Sequence, residues 1–131
     1  MANNLKHTWS TSIKNDSGSP VVADPPLIVQ GDAESNFSVV VDPAQTVEID
    51  LVVPVVKIQS GFITSNQAVE VFTNAADATG GQHISLAANK AVAWNNQMST
   101  VNPFTPTITK FFITNNGTSQ ATVRGGFLLQ E

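Results

Sequence analysis

Apolar residues recur along this chain at intervals of two, or in short β-branched runs, and scarcely anywhere at the i, i+3, i+4 spacing of a helix face. Residues 46–53 separate cleanly, with Val47, Ile49 and Leu51 on one side and Glu48 and Asp50 on the other, as a half-solvated antiparallel strand requires. Residues 5–13 alternate in the same way through Leu5, His7, Trp9, Thr11 and Ile13. Further strands are expected over 27–30, 37–42, 55–64, 68–74, 83–88 and 91–95. Turn residues at 15–20, 24–26, 42–43, 65–66, 77–81 and 101–106 supply the breaks. Two more apolar runs, 108–114 and 121–129, flank the polar stretch 115–120, and its Asn-Gly step tolerates the positive φ of a tight reversal, so a closing β-hairpin is expected. So many short strands in one small domain predict an all-β fold: an antiparallel β-sandwich, jelly-roll-like, with an N-terminal extended arm.

A chain of 131 residues is most simply one domain, burying roughly two thirds of the surface its unfolded form exposes. The turn-rich stretch divides it into an arm and linker over 1–26 and a sandwich over 27–131. An extended arm on such a tether can pack on its own body or add to a neighbour's sheet edge. Cysteine is absent, so stability rests on packing and association rather than on disulfides. Charged residues make up 12% of the chain, against about 25% in an average soluble domain. The net charge is −4, with five Lys and one Arg scattered along the sequence; that argues against nucleic acid, which calls for clustered cations. The first residues lack a signal-peptide core, and the longest aliphatic run, 51–56, is broken by Pro54 and too short to span a bilayer. A soluble protein made in a cytoplasm, with no membrane partner, is expected.

Chemistry is hard to find. His7 and His83 are the two histidines, and no Cys or regular carboxylate spacing completes a zinc shell around them. Glu48 and Asp50 share a strand face at roughly 7 Å, within range for paired carboxylates acting on a glycosidic bond, but acids on the polar face of an alternating strand are ordinarily solvated. Asp32 with Glu34, and residues 77–81, lack the dense oxygen ligands of a calcium loop and read as turns. No nucleophile elbow, P-loop or dinucleotide fingerprint occurs. The expectation is a non-enzyme without catalytic, cofactor or metal-binding residues. Trp9 and Trp94 supply an alternative, a carbohydrate-binding β-sandwich of a phage fibre or lectin-like kind in which an indole stacks on sugar rings.

Several strands are apolar on both sides. Phe111 and Ile113 project from one face of 108–114 while Ile108 and Phe112 project from the other, and Val39 to Val41 and Val52 to Val56 behave alike. A two-sheet sandwich has one inner face per sheet, so the surplus must be covered by loops, by the arm, or by another subunit. Leu5, Trp9 and Ile13 of the arm, with Ile108, Phe111, Phe112 and Ile113, are the expected intersubunit contacts.

From about residue 57 onward the order "VEVFTNAADATGGQHISLAANKAVAWNN" (69–96), "NPFT" (102–105) and "TKFFITNNGTSQATVRGGFLL" (109–129) resembles small tailed-bacteriophage virion proteins. The likeness lies in a strand ending in Thr-Asn, a Gly-containing turn, a short "ISL" strand, a Lys before a Trp-bearing strand, an Asn-Pro segment and a last hairpin closing on Thr-Asn. It covers somewhat more than half the chain, and its motifs are structural. The resemblance implies a capsid decoration or cement protein on the outer surface of the virion, partnered by the major capsid protein and self-associating, with a trimer at three-fold positions as the first expectation.

Overall fold

The computed structural model describes residues 5–9, 12–14, 20–23, 27–76, 82–97, 102–105 and 107–130. Its strands are β1 (Leu5–Trp9), β2 (Ser12–Lys14), β3 (Pro20–Ala23), β4 (Leu27–Gly31), β5 (Ala33–Val41), β6 (Gln45–Val53), β7 (Ile58–Ser65), β8 (Val69–Thr73), β9 (His83–Leu86), β10 (Val92–Asn95), β11 (Ile108–Asn115) and β12 (Ala121–Leu129). Two four-stranded antiparallel sheets pack face to face, one ordered β10-β7-β12-β5 and the other β6-β11-β8-β9.

The topology follows from one rule of pairing. β5 pairs with β12, β6 with β11, β7 with β10 and β8 with β9. From Ala33 onward the chain is therefore one long hairpin bent between β8 and β9, rolled up so that successive pairs fall alternately into the two sheets. That is jelly-roll order, and the expected fold class holds.

The expected hairpin over 108–129 does not form. β11 bonds to β6 and β8, and β12 bonds to β5 and β7, so residues 116–120 carry the chain across the sandwich from one sheet to the other. Asn115 anchors this arch from inside. Its buried amide donates to Val41 O at 3.0 Å and Ser119 O at 2.8 Å, and its Oδ1 accepts from Gly117 N at 3.0 Å. Both strands carry apolar inner faces and sit centrally in their sheets, and each satisfies its backbone from two outer neighbours rather than from the other.

The core lies between these central strands. Phe111 stacks on Phe127 at 5.8 Å, and Phe37 packs against Phe111 at 5.2 Å. Phe104 enters from the 102–105 loop, edge-on to Trp94, Phe111 and Phe127. Gln82 fixes that loop, donating to Pro103 O at 2.6 Å and accepting from Thr105 N at 2.6 Å. A register shift between Ile108 and Lys110 turns Ile108 inward, where it is fully buried; strict alternation would have left it beside Phe112 on the outer face.

Three other boundaries differ from the sequence expectation. Residues 55–57 form a 3-10 turn after Pro54, so the strand expected over 55–64 starts at Ile58. β5 begins at Ala33 rather than 37, because Glu34 and Asn36 face outward in the same alternation. The arm is a ribbon: β1 pairs with β4 and β2 with β3, so Pro20–Ala23 is a strand where a connector was expected.

Gly125 on β12 shows how tightly the inner layer is closed. A Cβ there would lie 2.3 Å from the Phe37 ring, which itself packs against Phe111, so the ring would have to shift. Gly125→Ala is expected to lower unfolding free energy by about 1–3 kcal/mol, read by urea denaturation.

Candidate functional site

Both sheets turn an outer face to solvent, and pairing partners share a face, so these surfaces are laid out in rows. On the β10-β7-β12-β5 sheet the first row is Glu34, Leu128, Ser60 and Asn95. The arm covers it. Gly31 of β4 lies directly on Leu128, where a Cβ would come within 2.8 Å of the Leu128 Cγ, and Leu128 is fully buried despite its outward side. Trp9 Nε1 donates to Ser60 Oγ at 3.2 Å, the same hydroxyl shares a hydrogen bond with His7 Nδ1 at 2.8 Å, and His7 Nε2 faces Glu34 Oε1 at 3.4 Å. β1 thus docks on its own body, and part of the apolar surplus is hidden within the single chain.

Beyond the arm the same face is uncovered. Phe62 lies across Gly126 and remains 36% exposed. One row further, Arg124 pairs with Thr64 and Ser38, and a shallow cleft there is lined by Thr64, Asn66, Asn89, Thr122 and Arg124. A second opening, between arm and sheet, is lined by Lys6, His7, Thr8, Trp9 and Phe62.

The outer face of the other sheet carries an aromatic row. Glu48, Phe112, Phe72 and His83 are successive cross-strand partners, and the His83 ring stacks on Phe72 at 4.5 Å and 9°. Charged rows lie on either side. Lys110 Nζ donates to Glu48 Oε1 at 2.5 Å and approaches Asp50 Oδ1 at 3.6 Å; the Glu48 contact first, then Asp50, holds the ammonium pKa above its usual value. On the other flank Glu70 Oε2 accepts from Ser85 Oγ at 2.6 Å and meets His83 Nε2. The Ser85 hydrogen bond lowers the Glu70 pKa below its ordinary 4.5; burial opposes it, and the His83 contact adds to the lowering.

Ser85, His83 and Glu70 are the residue types of a hydrolytic triad, but the wiring differs. A nucleophilic serine must give its proton to the imidazole, whereas Ser85 donates to the carboxylate that the imidazole also contacts. The trio serves to pin β9, an edge strand, to β8.

The expected contact residues separate. Ile108, Phe111 and Ile113 are fully buried in the chain's own core, so these three are corrected to packing positions: a side chain enclosed by its own sheets offers no surface to a neighbour. Phe112 stays half-exposed on the outer face, and Leu5 and Trp9 are half-buried on β1. Ile13 lies on β2, its side chain outside what is described. Trp94 is 2% exposed, packed on Phe104 and Phe127, which removes it as a sugar platform. His7 stands on β1 of the arm and His83 on β9 of the β6-β11-β8-β9 sheet, Glu48 and Asp50 serve Lys110, and residues 77–81 lie outside the described residues. Among the described residues no cluster of three or more His, Cys, Asp or Glu is disposed to hold a metal, and no helix is long and apolar enough to cross a membrane.

No family model matches the sequence, and no curated protein matches it. Among solved structures the chain is similar to a de novo designed double-stranded β-helix, at 15% identity and a TM-score of 0.38, over 69% of this chain and 94% of that one. That likeness is too slight to bear an argument.

Because the folded Glu70 pKa is lowered, its contribution to stability is complete above about pH 4.5 and is lost as pH falls through the lower folded value. Ser85→Ala is expected to move the Glu70 titration upward toward 4.5, read by NMR of the side-chain carboxyl carbon. An unmoved midpoint would mean that the Ser85 hydroxyl does not govern this carboxylate.

Proposed function

We propose that this chain is a non-enzymatic structural protein of a virion, a decoration or cement protein that docks on the outer surface of an assembled capsid and ties subunits of the major capsid protein together. The observation carrying this reading is apolar side chain left in solvent after both the core and the arm have taken their share. Val52 is 64% exposed and Val56 85% exposed, four residues apart around Pro54, at one end of edge strand β6. Val40 at 51% and Phe62 at 36% add to it on the other sheet. The jelly-roll order and the sequence resemblance point the same way.

The mechanism is thermodynamic. A protein that binds the assembled, expanded shell and not its precursors lowers the free energy of that state by mass action. Many weak copies, or a trimer seated at a three-fold position, accumulate that effect through multivalency. A second reading, a glycan-binding module, is favoured by the opening where Trp9 and Phe62 meet Lys6 and His7, an aromatic surface edged by hydrogen-bonding groups.

Co-sedimentation separates the two. The wild-type protein is expected to saturate expanded shells and ignore unexpanded ones. Val52→Asp together with Val56→Asp is expected to weaken that binding by about tenfold or more, from roughly 1.5 kcal/mol or more per buried valine, with the circular dichroism unchanged. A protein that ignores shells but shows a Trp fluorescence change with oligosaccharides would overturn the decoration reading.

A further inference from the structure

Each outer face carries an aromatic side chain with a charge on the cross-strand diagonal, and the two charges are opposite. On the β7/β12 pair, Phe62 sits opposite Gly126 and Arg124 opposite Thr64, so Phe62 and Arg124 are diagonal neighbours. On the β6/β11 pair, Phe112 sits opposite Glu48 and Lys110 opposite Asp50, so Phe112 and Asp50 are diagonal neighbours too. Diagonals of this kind span about 7–8 Å in any antiparallel pair. The two faces therefore present the same spacing between a ring and a charge of opposite sign.

The charges are available. Arg124, the sole arginine of the chain, is exposed, and among the described residues no carboxylate pairs with it. Its planar donor fork suits a carboxylate. Across the molecule one ammonium, Lys110, stands between two carboxylates, and the Asp50 side chain is 79% exposed. One negative charge is left over beside Phe112, as one positive charge is beside Phe62.

We propose that the occupant of the Phe62–Arg124 face is a second copy of this chain, presenting Phe112 and Asp50. Phe62 would pack on Phe112 and its neighbour Phe72 while Arg124 takes the Asp50 carboxylate. The contact is heterologous, joining different faces of the two copies, so it closes into a ring or continues as a chain of subunits. It rests on the self-association part of the proposed function and identifies the surfaces.

Self-association in free solution, with no shells present, is the test, read by sedimentation equilibrium of the full chain. Wild type is expected to associate, Arg124→Glu and Asp50→Arg each to weaken association by about tenfold, and the double variant R124E/D50R to recover it. Phe62→Ser is expected to weaken it with the sheet content unchanged, so a folding defect is told apart. A wild type monomeric at every concentration, an unaffected R124E, or a double variant no better than either single one would overturn the contact. A monomeric wild type that still co-sediments with expanded shells overturns this contact alone and leaves the decoration reading standing.

Discussion

The stack of Phe111 on Phe127 holds the two sheets in register, and much of the architecture depends on it. Each ring belongs to an inner strand of its sheet, and each of those strands bonds to two neighbours. Phe37, Phe104 and Trp94 close around the pair, so the aromatic cluster joins both sheets and a loop. These strands come from the last quarter of the chain, while β5 and β6 come from the first half. Pairings such as Ala33 with Leu129 span nearly the whole body, so loop-closure entropy must be met before most sheet contacts form, a topology of the kind that folds slowly among small domains.

The same pairing rule distributes the outer surface. A long hairpin rolled into two sheets leaves β5 and β10 at the edges of one and β6 and β9 at the edges of the other. Edges invite pairing with other chains unless charge or bulges discourage it. β6 carries Glu48 and Asp50 outward with Lys110 beside them, and β9 is tied down by the Glu70, Ser85 and His83 contacts. β5 is less protected, presenting Glu34, Asn36, Ser38 and Val40 outward. The arm adds a layer over one end of its sheet and buries Leu128, a residue that neither face of a bare sandwich would have hidden.

Alternation along β1 and β6 was legible in sequence because each side chain's environment there follows from its own strand. Pairing was not. Asn116-Gly117 fits a tight hairpin and an arch equally well, and what decides between them is which distant strands claim β11 and β12. Ile108 was assigned to the wrong face because a register shift against β6 reverses parity, and such a shift depends on the partner. Trp94 looked available because aromatic character alone does not say which side of a strand faces in. The Phe72 and His83 stack and the Glu70 and Ser85 contact were missed although VEVFT and HISL each show period two; placing those strands as neighbours, with Phe72 opposite His83, would have exposed both contacts. The jelly-roll class survived these errors because it depends on strand number and spacing more than on any one pairing.

What remains exposed has a bearing on the strength of association. An obligate dimer hides a large, contiguous apolar surface resembling a core cut in half, whereas here a few side chains, Val40, Val52, Val56 and Phe62 among them, are exposed on a chain with only 12% charged residues. Each contributes a little on burial, and the low charge density means that little electrostatic repulsion must be overcome when copies crowd together. Contacts of this kind are weak where sites are few and firm where they are many and fixed in space, because effective concentration then supplies what the individual contact lacks. On the proposed role, an assembled shell is a partner of that kind: it repeats one site many times at fixed spacing, and its precursor subunits do not.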